Sequence, residues 1–119
     1  MSDNQLVEFS KQFAVDMIRL CEDMKSRGKA SAVINQLLRS GTSIGANIHE
    51  ANFASSKADF INKFQIALKE CYETEYWLEI FRGAEIITEQ EFDFSYTKCN
   101  KIRKLLSASL KTAKQNNPQ

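Results

Sequence analysis

Apolar residues recur at steps of three and four along almost all of this 119-residue chain, and its one proline, Pro118, is the penultimate residue. That spacing gathers apolar side chains onto one stripe of a helix with 3.6 residues per turn. With only four glycines as well, the chain has too few turn-formers for a many-stranded sheet. It is long enough to bury a core without disulfide or metal staples. The pattern therefore predicts an all-α fold, a few long helices in one domain over residues 1–119.

Four stretches carry the pattern. The first, about 3–26, has Leu6, Phe9, Phe13, Met17, Leu20 and Met24 on its core stripe, with Ser2 or Asp3 to cap it and Gly28 to end it. The second, about 31–54, opens on Ser31 as N-cap and carries Ile34, Leu37, Gly41, Ile44, Ile48 and Ala51. The third, about 57–82, follows a Ser55–Ser56 break and carries Phe60, Phe64, Ala67, Cys71, Thr74, Leu78 and Phe81. The fourth, about 89–114, starts from a capping-box pattern between Thr88 and Glu91 and continues through Phe92, Tyr96, Cys99, Ile102, Leu106, Ser109 and Ala113. Residues 115–119 are expected to fray. Helices of about 24 residues are roughly 36 Å long. Short connections between them imply antiparallel neighbours, an up-down-up-down four-helix bundle.

Several function classes find little support. The cysteines Cys21, Cys71 and Cys99 are odd in number and lack the spacing of a zinc site, so each reads as a small buried hydrophobe in a reducing cytoplasm. No apolar run is long enough to span a bilayer, and the N-terminus lacks the pattern of a signal peptide, so no membrane partner is expected. His49 and Glu50 are adjacent and point about 100° apart on a helix. No HExxH, paired Glu-x-x-His or P-loop is present. A non-enzyme without cofactor or metal is expected.

Three features exceed what a bundle needs. Arg39, Ser43, Asn47 and Glu50 form a polar stripe opposite the core stripe of the second helix, and Ser40, Gly41, Gly45 and Ala46 make its centre small. Asn and Ser are poor helix formers. The stripe reads as a buried network at a subunit contact, as a partner or ligand site, or as a solvated face, with Glu70 and Glu73 available to pair Arg39. Two glycines inside a helix suggest close approach of a neighbour. The third helix is apolar nearly all round: Ile61, Leu68 and Tyr72 flank its seam, while Ile66, Tyr76, Trp77 and Ile80 lie on other sides. Those last four are the candidate oligomer interface.

Net charge is +1, but from Lys98 onward there are six basic residues and no acid, whereas residues 57–97 hold nine acids and four bases. Lys98, Lys101, Arg103, Lys104 and Lys111 are candidate nucleic-acid-contacting residues, the alternative being a solvated face that complements the helix C-terminus. No aromatics interleave with them in sequence, so base stacking is not expected there.

The run LLRSGTSIGANIHEA (residues 37–51) resembles the R-S-x-x-S-I-x-A-N-I-x-E-G/A motif of the 23S rRNA intervening-sequence proteins. The segment FINKFQIALKECYETEYWL (residues 60–78) is similar to that family's third helix, and the likeness covers almost the whole chain. The resemblance implies a homopentameric ring of four-helix bundles, a gene often placed inside an rRNA intervening sequence, and no established biochemical activity. Its motif residues fall on Arg39, Ser40, Ser43, Asn47 and Glu50. A similar bundle, the accessory protein of diversity-generating retroelements, is a basic pentamer that binds a reverse transcriptase and nucleic acid; this chain departs from it in being near neutral. The expected function is a cytoplasmic, non-enzymatic homo-oligomer, a pentamer, that binds RNA or a ribonucleoprotein. A protein–protein scaffold without nucleic acid is the alternative.

Overall fold

A computed structural model describes residues 3–115, with side chains from residue 5 onward. All of its regular structure is helical: α1 (Asp3–Ser26), α2 (Ser31–Ala51), α3 (Lys57–Gly83) and α4 (Glu89–Gln115). The expected Ser2 or Asp3 cap and residues 116–119 lie outside what is described. None of the described helices is long and apolar enough to cross a membrane.

The connections follow from local backbone chemistry. Gly28 adopts a left-handed φ of 78° past the end of α1. This lets the Lys29 N–H reach the Met24 carbonyl at 3.1 Å and the Gly28 N–H reach that of Lys25 at 3.0 Å. The residue flanking the start of α2 is Ala30 rather than Ser31, and no side chain caps it. The turn at Gly28 leaves two residues before the helix, so Ser31 is already within the first turn.

The C-terminus of α2 also differs from expectation: the helix stops at Ala51, not near residue 54. Ser56 caps α3 from an extended conformation, accepting the Asp59 N–H at 3.0 Å, while Asp59 accepts the Ser55 N–H at 3.1 Å. This reciprocal cap requires the chain to leave helical geometry earlier. Thr88 and Glu91 close the capping box of α4, at 3.0 Å and 2.9 Å. Before it, Glu85 holds a φ of 59° so that the Ile86 N–H can reach the Phe81 carbonyl at 2.8 Å.

Within the described residues α1 packs on α2, α2 on α3, α3 on α4 and α4 on α1, with no close approach between α1 and α3 or between α2 and α4. The core lies on the common axis of a body 52 × 21 × 21 Å in extent. Phe13, Met17 and Met24 of α1 meet Ile34, Leu37, Ile44 and Ile48 of α2, Phe64, Leu78 and Phe81 of α3, and Ile102 and Leu106 of α4, all fully buried. The two α2 glycines explain how tightly α1 approaches. A Cβ on Gly41 would stand 2.7 Å from Met17 Cγ, and one on Gly45 would stand 3.1 Å from the Ser10 carbonyl oxygen.

The α1–α4 seam is the least extensive of the four. Polar clasps span it: Lys98 to Asp16 at 2.8 Å and Arg27 to Glu91 at 3.3 Å. The Lys101 ammonium also lies 4.9 Å from the centre of the Phe9 ring.

Candidate functional site

The small-and-polar run of α2 divides between core and surface. Ser40 is fully buried, accepting a hydrogen bond from Thr74 of α3 at 2.9 Å and donating to the Leu37 carbonyl at 3.3 Å. It is a satisfied contact between two helices. Ser43 donates back to the Arg39 carbonyl at 2.7 Å and Asn47 to the Ser43 carbonyl at 2.9 Å, so both half-buried side chains are used locally, within their own helix. Glu50 is exposed and pairs with Lys63 of α3 at 3.1 Å.

Arg39 reaches across to α3 and binds both acids that the sequence offers it, Glu70 at 3.3 Å and Glu73 through a second guanidinium nitrogen. Glu73 also accepts the Trp77 indole N–H at 3.2 Å. Hydrogen bonding to Arg39 holds the Glu73 carboxyl below the usual carboxylate range and raises Arg39 above its ordinary value. One oxygen of Glu70, Oε1, is buried without a partner in the described structure. The stripe therefore lies along the α2–α3 seam as a chain of short local bonds ending in one fork.

The four candidate interface residues of α3 separate. Trp77 is half-buried against the core, its ring edge-on to Tyr76 with 5.0 Å between centroids and its N–H satisfied by Glu73, and Ile66 is half-buried. Tyr76 and Ile80 are exposed, at 54% and 42%, and Tyr72, one helical turn before Tyr76, joins them at 53%. Steps of four align Tyr72, Tyr76 and Ile80 into an apolar ridge on the outer face of α3. Spacing sets Tyr72 beside the core seam, but its side chain stands on the outer face.

The basic residues of α4 do not form one uniform surface. Arg103 donates through Nε to Glu75 at 2.9 Å; Glu75 is buried, and this bond raises Arg103 above its ordinary value. Lys98 is held by Asp16. Lys101, Lys104 and Lys111 are exposed, and none of the three makes an ion pair among the described residues. Aromatic rings nevertheless lie beside three of these cations. Arg103 lies 5.2 Å from the Tyr72 ring, Lys98 lies 4.0 Å from that of Phe94, and Lys101 sits over Phe9. The partners come from neighbouring helices or from one turn away, where linear interleaving does not show them.

Sequence reasoning missed a groove between α1 and α2, with a volume of about 360 Å³ and lined by Lys11, Ala14, Val15, Gly45, Ala46 and His49. Its signal was present in the paired small residues Gly45 and Ala46, which leave the surface of α2 low beside α1. Exposed Val15 and Ile18 lie on α1, and exposed Phe53, in the turn after α2, packs at a tilt on His49, 5.4 Å between centroids.

The three cysteines are free and buried. Burial pushes the Cys21 thiol up to about 11. Hydrogen bonding with Cys71, followed by burial, raises Cys99 far above the ordinary thiol value. So raised, the Cys21 and Cys99 thiols are poor nucleophiles at neutral pH. Among the described residues, no group of three or more His, Cys, Asp or Glu is placed to hold a metal ion.

The description "23S rRNA-intervening sequence protein" belongs to the family whose profile matches residues 2–108. No curated protein matches the chain. Among solved structures, the chain is similar to a crystal structure of a protein with unknown function from the S23 ribosomal protein family of Bacteroides thetaiotaomicron VPI-5482. The TM-score is 0.90 at 46% sequence identity, covering 93% of this chain and 99% of the other.

Proposed function

The chain belongs to the 23S rRNA-intervening sequence protein family, and from that premise we propose that it is a non-enzymatic, self-associating helical bundle that works as a binding module. The bundle is up-down-up-down. Contacts that support this order pair early residues of one helix with late residues of the next: Ser10 with Gly45 and Met17 with Gly41, Arg39 with Glu73 and Glu50 with Lys63. The assembly is a homo-oligomer, a pentamer, in the cytoplasm.

The observation that carries self-association is the Tyr72–Tyr76–Ile80 ridge. Three large apolar side chains in register on one helix are costly in water and typical of association surfaces. RNA or a ribonucleoprotein is the proposed partner. Lys101, Lys104 and Lys111 supply the phosphate-contacting charge, because Arg103 and Lys98 are engaged within the bundle.

The test is native mass spectrometry of protein purified without nuclease, followed by binding of single-stranded RNA over a range of salt. A five-subunit mass carrying added nucleotide mass is expected. Binding should weaken steeply with salt and be lost on reversing Lys101, Lys104 and Lys111 to Glu. A bare ring that ignores RNA removes the nucleic-acid partner and favours a protein scaffold. A monomer removes self-association.

A further inference from the structure

We infer that the RNA is single-stranded, with one unpaired base held in a pocket between α1 and α4. The inference rests on the nucleic-acid partner proposed above and names its form. The pocket has a volume of about 260 Å³ and is lined by Asp16 and Leu20 of α1 and by Gln90, Glu91, Phe94 and Ser95 of α4. One aliphatic and one aromatic wall with a few polar groups between them suit a flat heteroaromatic ring.

The lining leaves two groups unused. Ser95 is only 2% exposed, yet its hydroxyl makes no hydrogen bond among the described residues. A buried hydroxyl without a partner is costly, and it can donate to or accept from the edge of a base. Phe94 is 53% exposed, and Lys98 lies over one face of its ring, 4.0 Å from the centre. No other ring packs on Phe94 among the described residues. Its second face is open to a base, and stacking on aromatic side chains is how single strands are held without regard to sequence.

Charge around the pocket suits the same occupant. Asp16 and Glu91 do not repel a phosphate chain, because Lys98 and Arg27 neutralise them at 2.8 Å and 3.3 Å. Paired carboxylates still keep lone pairs for the N–H groups of a base. Further along α4 the surface turns cationic, with Lys101, Lys104 and Lys111 exposed and outside every ion pair among the described residues. Steps of seven, three and seven from Phe94 keep these lysines within about 100° of arc on one side of the helix. A strand along that side meets the lysines with its phosphates and the pocket with a base. A duplex reaches only the lysines, since its bases are already paired and stacked.

The experiment measures binding of a short single-stranded RNA, and of the blunt duplex it forms with its complement, to the full chain and its variants over a range of salt. Phe94→Ala should bind the single strand about tenfold more weakly, with duplex affinity and salt slope at their wild-type values. The slope separates a lost stack from a lost phosphate contact, which lowers it by about 1. Lys104→Glu should weaken both RNAs and lower the slope. Leu20→Trp, which fills the pocket from α1, should repeat the Phe94→Ala result. It carries the test if Phe94→Ala loses its helical circular dichroism. Single-strand binding that is unchanged in both pocket variants overturns the inference and leaves the RNA partner standing. Equal losses for strand and duplex also overturn it, because the pocket then does not tell a free base from a paired one. A wild-type chain that binds neither RNA overturns the partner and the pocket together.

Discussion

Arg103 shows how far a residue's role can depart from its place in the sequence. It stands in a run of six basic residues without an acid, yet its guanidinium holds the buried Glu75 of α3. Arg103→Ala leaves that carboxylate without its counter-charge in the core. A loss of about 3 kcal/mol is expected, whereas Lys104→Ala, at an exposed neighbour, should change stability by less than about 0.5 kcal/mol. Urea unfolding midpoints of the two variants distinguish them, and equal midpoints would refute this account of Arg103. The sequence hid the pairing because Glu75 lies 28 positions away, inside a helix already rich in acids. The fork at Arg39 was easier to read: Glu70 and Glu73 were the acids available on α3, and both are its partners. The glycines were legible too. Their cost inside a helix pointed to a close neighbour, and Met17 and the Ser10 backbone are those neighbours.

At the scale of elements, apolar periodicity located the helices well because burial has the same period as the helix. Ile34, Leu37, Gly41, Ile44, Ile48 and Ala51 are all buried as their spacing implied. Periodicity was less informative at helix ends, which are decided by cap chemistry. The reciprocal Ser55, Ser56 and Asp59 bonds shorten α2, and no spacing rule on α2 contains that information. The end of α3 makes the same point in a testable way. Gly83 closes the helix, but the left-handed residue of the turn is Glu85, where a side chain is strained. Glu85→Gly should relieve that strain and stabilise the protein by about 0.5–1 kcal/mol, net of the entropy that glycine adds to the unfolded chain. A lower melting temperature for this variant would show that the Glu85 side chain contributes more than the strain costs. That α3 carries apolar residues beyond its core seam was legible, but which of them stay exposed was not. Trp77 turns onto Phe81 and Glu73, and Tyr72 takes its place on the ridge.

For the whole molecule, the seam between α1 and α4 has a kinetic consequence. Asp16 and Lys98 lie 82 positions apart and Arg27 and Glu91 lie 64 apart, so this seam joins the first helix to the last. Closing so long a loop costs chain entropy before any contact is gained. The more local α1–α2, α2–α3 and α3–α4 pairs can form first, and the seam closes late, after the rate-limiting barrier. A substitution there acts on the return journey. Asp16→Asn should speed unfolding by about tenfold while leaving the folding rate nearly unchanged. Stopped-flow chevrons compare this change with the parent, each in a Tyr76→Glu background that breaks the exposed apolar ridge of α3. A folding limb slowed as much as the unfolding limb is quickened would place the seam inside the nucleus instead. A clasp that looks like a minor contact in the folded state thus sets how long the bundle stays shut once formed.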